Sequence, residues 1–87
     1  MSTPQVDIYT KFGCGFCYRA KNLLKSKGVS YEEFDITLGG KKRDAMLERA
    51  PNARTVPQIF IGDIHVGGSD ELAALDAAGK LDALLAG

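Results

Sequence analysis

The chain has 87 residues, of which 45% are hydrophobic, and eleven Lys and Arg balance eleven Asp and Glu. This length predicts a single domain over residues 1–87, near the lower limit for a chain that folds alone. The neutral balance argues against nucleic acid or an anionic membrane surface as a partner. No apolar run approaches the roughly 20 residues of a membrane-spanning helix, and residues 1–5 do not resemble a signal peptide, so we expect a cytoplasmic protein.

Hydrophobic periodicity and glycine and proline breaks predict an α/β chain in the order β-α-β-α-β-β-α, with a short additional terminal helix. The predicted strands cover residues 6–10, 29–36, 55–61 and 64–66. The predicted helices run from Phe16 to a stop at Gly28, over residues 41–50, from a cap at Ser69 or Asp70 to Gly79, and over residues 81–85. The first strand should be central, because a parallel partner and the later hairpin both need a strand to pair with.

The two cysteines of the chain, Cys14 and Cys17, lie where the first predicted strand gives way to the first predicted helix. Their spacing places both on one face of the first helical turn. Cys14 lies near the free backbone N–H groups of the helix start, whose partial positive charge favours a thiolate. Residues 11–30 also carry five Lys and Arg and no Asp or Glu. This setting predicts a nucleophilic cysteine and redox chemistry.

Three other interpretations of the cysteine pair stay open at this point. A structural zinc site needs four ligands, whereas the chain offers Cys14, Cys17 and its one histidine, His65. A structural disulfide at this spacing would close a very small loop, and such bonds tend to be labile. Two buried, inert thiols are the third interpretation. We interpret His65 itself as a partly exposed strand residue with no catalytic role.

Three blocks of the chain, in this order and at these spacings, resemble the glutaredoxin family, and specifically its short bacterial dithiol members. The blocks are Ile8–Lys11 followed by Cys14–Lys21, then Thr55–Ile61, then Gly67–Asp70. The resemblance covers nearly the whole chain. It implies a thioredoxin-like fold with a four-stranded mixed sheet and flanking helices, and a cis bond between Val56 and Pro57.

The resemblance also implies glutathione as co-substrate, bound beside Cys14. The backbone of Val56 would pair with its cysteinyl part, and Lys11 and Gln58 would hold its glycyl carboxylate. The γ-glutamyl carboxylate would lie over the helix start after residues 67–68, which is a good anion site on physical grounds as well, and Asp70 would accept from the α-amino group. The full set implied to bind glutathione is Lys11, Phe16, Thr55, Val56, Pro57, Gln58, Gly68, Ser69 and Asp70.

The activity implied by the resemblance is that of a glutathione-dependent thiol–disulfide oxidoreductase. Its substrates would be protein–glutathione mixed disulfides and protein disulfides, and its roles would be electron transport and cell redox homeostasis. Cys14 would attack the glutathione sulfur, and Cys17 would resolve mixed disulfides on a two-thiol path. We therefore expect Cys14 to be indispensable and Cys17 to matter mainly for protein disulfides.

The chain departs from the dithiol pattern between the two cysteines. Dithiol members usually carry Pro-Tyr there, whereas Gly15-Phe16 is typical of monothiol members. Relatives without this proline can bind a [2Fe-2S] cluster between two subunits, using the first cysteine of each and two glutathiones. The alternative to a monomeric enzyme is therefore a homodimer bridged by a cluster with Cys14 as a ligand. Ser69 stands where many relatives carry a third cysteine.

Overall fold

The computed structural model describes residues 3–87, and its elements follow the predicted chain order. The strands are β1 (Val6–Thr10), β2 (Glu32–Asp35), β3 (Gln58–Ile61) and β4 (Ile64–Gly67), and the helices are α1 (Gly15–Ser26), α2 (Lys41–Arg49), α3 (Ser69–Ala77) and α4 (Leu81–Ala86). The strands form one mixed sheet of order β2-β1-β3-β4, in which β1 is parallel to β2 and antiparallel to β3. The central position predicted for the first strand is confirmed.

Helices cover both faces of this sheet, because successive residues of a strand point to opposite sides. On one face, α1, α3 and α4 pack over the larger apolar cluster. That cluster contains Val6, Ile8, Ala20, Leu24, Ile59, Ile61, Leu72, Leu81 and Leu85. On the other face, Met46 and Ala50 pack from α2 and its C-terminal end against Tyr9 and Phe60. The C-terminal end of β1, which leads to the cysteines, is therefore packed between helices on both faces of the sheet.

The helix α1 follows directly from its sequence pattern. Cys17, Ala20 and Leu24 are buried at helical spacing, as predicted for the inward face. The helix ends before Gly28, which has a φ of +72° and whose N–H donates to the Lys25 carbonyl at 3.0 Å. At 12 residues α1 is the longest helix among residues 3–87, and no helix in that range is long and apolar enough to cross a membrane.

The third strand is shorter than predicted. The prediction began at residue 55, whereas β3 begins at Gln58, opposite Tyr9 of β1. The residue that precedes Gln58 is Pro57, which has no N–H to donate to the ladder, so the pairing begins only after it. Residues 55–57 consequently form a loop beside the end of β1. The Val56–Pro57 peptide bond in this loop is cis, as the resemblance implies.

The second strand is also shorter than the predicted range 29–36, and it covers Glu32–Asp35. Tyr31 packs against the cluster under α1, whereas Phe34 packs against the cluster under α2. Tyr31 and Phe34 therefore face opposite sides of the sheet, and helices cover both sides. The predicted range was too long because the ladder with β1 pairs only Glu32–Asp35 with Asp7–Thr10.

Candidate functional site

Cys14 is the N-cap residue of α1. Its Sγ accepts a hydrogen bond from the backbone N–H of Cys17 at 3.2 Å and lies 3.8 Å from the carbonyl oxygen of Val56. The first turn of α1 carries no acidic side chain, so nothing there offsets the partial positive charge of the helix start. The half-buried sulfur therefore lies at the N-terminal end of α1, where a small substrate can reach it.

Cys17 has the opposite environment. Its side chain is 2% exposed, and both cysteines are free thiols. Burial, reinforced by the contact with Cys14, raises the pKa of Cys17 to about 12. Cys17 is consequently a neutral thiol at neutral pH, and a thiol is a poor nucleophile compared with a thiolate. The two thiols therefore differ in access, since Cys14 is half-buried and Cys17 is buried.

A groove of about 330 Å³ runs from the start of α1, past the loop of residues 55–57, to the start of α3. Its lining residues are Phe16, Thr55, Val56, Pro57, Gly68, Ser69, Asp70 and Glu71. The structure thus brings together all of the residues predicted to bind glutathione except Lys11 and Gln58. Glu71 is an addition that the sequence analysis missed.

The start of α3 is capped differently from the prediction. Gly68 is the N-cap residue, and its backbone N–H donates to Oε1 of Glu71 at 2.7 Å. Gly67, with a φ of +112°, allows this approach, because a Cβ there would lie 3.0 Å from the same oxygen. The predicted cap at Ser69 or Asp70 is wrong because α3 begins one residue earlier, so that both residues lie inside its first turn.

Ser69 is instead the first residue inside α3, and it is 5% exposed. Within residues 3–87, its Oγ is the one buried side-chain nitrogen or oxygen without a hydrogen-bond partner. A buried hydroxyl without a partner costs about 1–3 kcal/mol. Because Ser69 lines the groove, a polar group bound there could remove this cost.

Asp70 links α3 to α1 across the groove. Its Oδ1 lies 3.3 Å from Nη1 of Arg19, and the two side chains are 78% and 57% exposed. An ion pair this exposed contributes little to stability. The Asp70 carboxylate is therefore accessible for a cation presented in the groove.

Lys11 lies on the other side of the cysteine loop, with an exposed side chain. It lines a small recess together with Arg43 and Arg54, next to Thr55 and Val56. This concentration of positive charge adjoins the groove without forming part of it. A carboxylate lying beside Val56 would find cations there.

Gln58 is placed differently from the other predicted contacts. It is 6% exposed, its Nε2 donates to the Thr55 carbonyl at 2.9 Å, and its Oε1 lies 2.6 Å from Nε2 of His65. Its amide is thus engaged within the chain rather than presented in the groove. The sequence analysis missed the contact with His65, because the two residues approach each other only when β3 and β4 pair.

A larger apolar groove, of about 770 Å³, lies between the β3–β4 turn and α4, where Ile61, Ile64 and Leu84 contribute to its walls. Its walls do not include the loop of residues 55–57, whereas the smaller groove is lined by this loop, and the carbonyl of Val56 lies beside the Cys14 sulfur.

The described part of the chain does not assemble a metal site by itself. Within residues 3–87, no group of three or more His, Cys, Asp or Glu is placed to hold a metal ion. His65, the third ligand considered for zinc, is on β4 and contacts Gln58. The zinc interpretation therefore lacks a third ligand from these residues.

Comparisons with known proteins agree with this geometry. Residues 6–66 match the glutaredoxin family model. The chain is similar to Glutaredoxin 3 of Escherichia coli strain K12, with 55% identity over 80 residues that cover 92% of this chain and 95% of that protein. It is also similar to the solution structure of glutaredoxin from Brucella melitensis, with 49% identity, a TM-score of 0.83 and coverage of 99% of this chain and 92% of that one.

A third similarity is to the crystal structure of a buckwheat glutaredoxin–glutathione complex. The identity is 30%, the TM-score is 0.82, and the match covers 94% of this chain and 76% of that one. These structures confirm the expected thioredoxin-like fold. The family model and the relatives extend over the cysteine pair and the loop of residues 55–57. The chain therefore belongs to the glutaredoxin family of thiol–disulfide oxidoreductases.

Proposed function

We propose that this chain is a glutathione-dependent oxidoreductase that reduces protein–glutathione mixed disulfides and protein disulfides. One observation carries the proposal: the Cys14 sulfur lies beside the Val56 carbonyl, next to a groove that ends at the start of α3. A reactive sulfur, an unpaired stretch of backbone and a helix start that attracts anions suit a small peptide thiol with a carboxylate at each end.

The γ-glutamyl end of glutathione is assigned to the start of α3. The N–H groups of Ser69 and Asp70 attract its carboxylate, since Glu71 already occupies the N–H of Gly68. The unpartnered Oγ of Ser69 supports this placement because it can donate a hydrogen bond to the same carboxylate. The exposed carboxylate of Asp70 accepts from the α-ammonium group.

The rest of the tripeptide is assigned to the loop before β3. The backbone of Val56 pairs with the cysteinyl residue, which brings the glutathione sulfur to Cys14. Phe16, Thr55 and Pro57 form the walls of the groove. Lys11 attracts the glycyl carboxylate from its cationic recess, whereas Gln58 acts on the loop through its hydrogen bond to Thr55.

The proposed reaction is two successive thiol–disulfide exchanges. The Cys14 thiolate attacks the glutathione sulfur of the mixed disulfide, and a new S–S bond forms as the bond to the protein substrate breaks. The substrate leaves as a thiolate and takes a proton from solvent. A second glutathione thiolate then attacks the glutathionylated Cys14, releasing oxidised glutathione and restoring the Cys14 thiolate.

Replacing Asp70 by Asn tests the assignment of the γ-glutamyl site. We expect the KM for a small glutathionylated peptide to rise about tenfold, because a hydrogen bond to a charged group contributes about 1.5–3 kcal/mol and this site is partly exposed to solvent. The measurement is the glutathione-dependent reduction of that peptide by the parent chain and by the variant. The thermal midpoint should barely change, since the Arg19–Asp70 pair is exposed.

The matched control for this experiment is Asp82→Asn. Asp82 is 75% exposed, and it pairs with Lys27, which keeps Asp76 as a partner when Asp82 is replaced. The substitution therefore removes the same charge away from the groove. Equal KM values for the two variants would contradict the assignment of Asp70, and an inactive but folded parent chain would contradict the proposed function as a whole.

A [2Fe-2S] cluster carrier is the second candidate function, and the space around Cys14 favours it. A Cβ built at Gly15 would meet no heavy atom within 4 Å among the described residues other than its chain neighbours and the backbone of its own helix, so the rest of the fold leaves the space of a proline ring beside Cys14 open. Residues 3–87 of one chain place no three His, Cys, Asp or Glu together, which is too few ligands for a cluster. A second copy and glutathione thiols would therefore have to complete it, with Cys14 as this chain's ligand.

Anaerobic reconstitution with iron, sulfide and glutathione tests this candidate. We expect a visible chromophore that elutes with a dimer, and neither signal from Cys14→Ser, because the thiolate is the metal ligand. Gly15→Pro should lose the chromophore while keeping thiol exchange. A colourless monomer from the parent chain would rule out the cluster.

A further inference from the structure

The loop of residues 55–57 lies outside the sheet, yet the proposed pairing with glutathione depends on its backbone. The ladder between β1 and β3 ends at Gln58, so it does not hold the loop. A side chain does so instead: Nε2 of Gln58 donates to the carbonyl oxygen of Thr55 at 2.9 Å and closes the turn around Val56. The orientation of this one amide therefore matters for the groove.

An amide can be rotated by 180° with little change in shape, which would point its oxygen at the Thr55 carbonyl and lose the hydrogen bond. His65 prevents this in the structure. Its Nε2 lies 2.6 Å from Oε1 of Gln58. Since the amide nitrogen of Gln58 donates to Thr55, its oxygen must accept, and Nε2 of His65 must carry the hydrogen. With its hydrogen on Nε2, the imidazole donates to the amide in the orientation that binds the loop, and so opposes its rotation.

The imidazole is itself held in place. Its ring stacks on Phe60, with ring centroids 4.7 Å apart and an interplanar angle of 19°. Phe60 is 2% exposed, and the guanidinium carbon of Arg49 lies 3.9 Å from the centre of its ring. Arg49 in turn contacts Asp7 of β1 at 2.8 Å. His65 is therefore supported by the sheet, although much of its surface is exposed.

We propose that His65 is a positioning residue for the glutathione groove: its Nε2–H orients Gln58, and Gln58 holds the Thr55 carbonyl so that the backbone of Val56 is presented beside Cys14. This inference rests on the proposed function. His65 does not line the groove with Val56 and acts only through Gln58 and Thr55. It adds a positioning role to the initial interpretation of His65 as a partly exposed strand residue with no catalytic role.

The test compares His65→Phe and His65→Gln with the parent chain. Phenylalanine keeps the stacking on Phe60 but cannot donate, whereas glutamine has an N–H donor at a similar reach. We expect His65→Phe to raise the KM for a small glutathionylated peptide about three- to tenfold with little change in kcat, as for the loss of one neutral hydrogen bond. His65→Gln should restore the parent KM. All three chains should unfold at similar temperatures.

A second comparison distinguishes the loss of the hydrogen bond from any other structural effect of the His65→Phe substitution. Gln58→Met removes both hydrogen bonds at similar volume and should raise the KM at least as much as His65→Phe. The double variant should then show no further increase, because the histidine acts only through the amide. In the ¹H–¹⁵N spectrum, the side-chain amide of Gln58 and the backbone amide of Val56 should shift in His65→Phe and return in His65→Gln.

Several outcomes would overturn the inference. One such outcome is a KM in His65→Phe that equals the KM of the parent chain. A second is a raised KM in both His65→Phe and His65→Gln, and a third is additive effects in the double variant. Each would show that hydrogen-bond donation from His65 does not position the loop. These results are distinct from failure of the proposed function, in which the folded parent chain would not reduce the glutathionylated peptide at all.

Discussion

Cys14→Ser is expected to reduce glutathione-dependent activity to the uncatalysed rate. The Cys14 sulfur receives the Cys17 N–H and lies at the positive end of α1, and the neighbouring thiol cannot replace it because Cys17 is 2% exposed. A serine hydroxyl at the same position is not ionised at neutral pH and cannot form a disulfide. The measurement is the initial rate of reduction of a small glutathionylated peptide at saturating glutathione.

Cys17→Ser is the matched control, since it also replaces one sulfur by oxygen in the same helical turn. We expect it to retain most of the rate with the glutathionylated peptide, because Cys14 and two glutathiones suffice for that reaction. With a protein disulfide as substrate it should lose activity, because the internal resolving thiol is gone. Activity in Cys14→Ser, or complete loss in Cys17→Ser with the peptide, would contradict this division of roles.

The second large effect concerns stability at alkaline pH. Burial raises the pKa of Cys17 to about 12 in the folded chain, from an ordinary value of 9.0. Above pH 9 the unfolded chain therefore loses the Cys17 proton while the folded chain keeps it. Because the unfolded state then binds fewer protons, the free energy of unfolding should fall by about 1.4 kcal/mol per pH unit from this residue, until the pH approaches 12. Below pH 9 the thiol makes no such contribution.

Urea unfolding of the reduced chain at pH 8, 9.5 and 10.5 measures this slope. The same series with Cys17→Ser subtracts the contributions of all other groups, Cys14 included, because serine does not titrate in this range. The parent chain should lose more stability than the variant over the series. Identical slopes would show that the Cys17 thiol is not desolvated as the structure indicates.

Only part of the candidate site could be predicted from the sequence. The cysteine spacing and the helix after it placed Cys14 at a helix start, because capping depends on residues a few positions apart. The cap of α3 was assigned to the wrong residue, since Ser69 and Asp70 have suitable side chains and the sequence alone does not reveal that Glu71 bonds to Gly68. Seven of the nine residues that the family pattern implies for glutathione binding line the groove, and their role in binding stays a prediction.

The contact between Gln58 and His65 shows where prediction stops. The two residues are seven positions apart, and neither carries a local signal for the other. Their approach depends on the pairing of β3 with β4, which contains an irregularity between Ile59 and Phe60 that shifts the register. A shift of one residue reverses the face of a side chain, so a pairing error of that size would separate them.

The sequence by itself determined the order of the elements, the cysteine pair at the start of α1 and the family of the chain. These properties depend on the spacing of nearby residues, on helix and turn signals, and on short sequence blocks that match the family pattern. Each of these features can be recognised within a short stretch of the chain. Only the tertiary structure decided which thiol is buried, where β3 begins, that the Oγ of Ser69 lacks a partner, and how Gln58 holds Thr55. Burial and hydrogen-bond satisfaction depend on packing between distant segments, and a linear pattern does not contain that information.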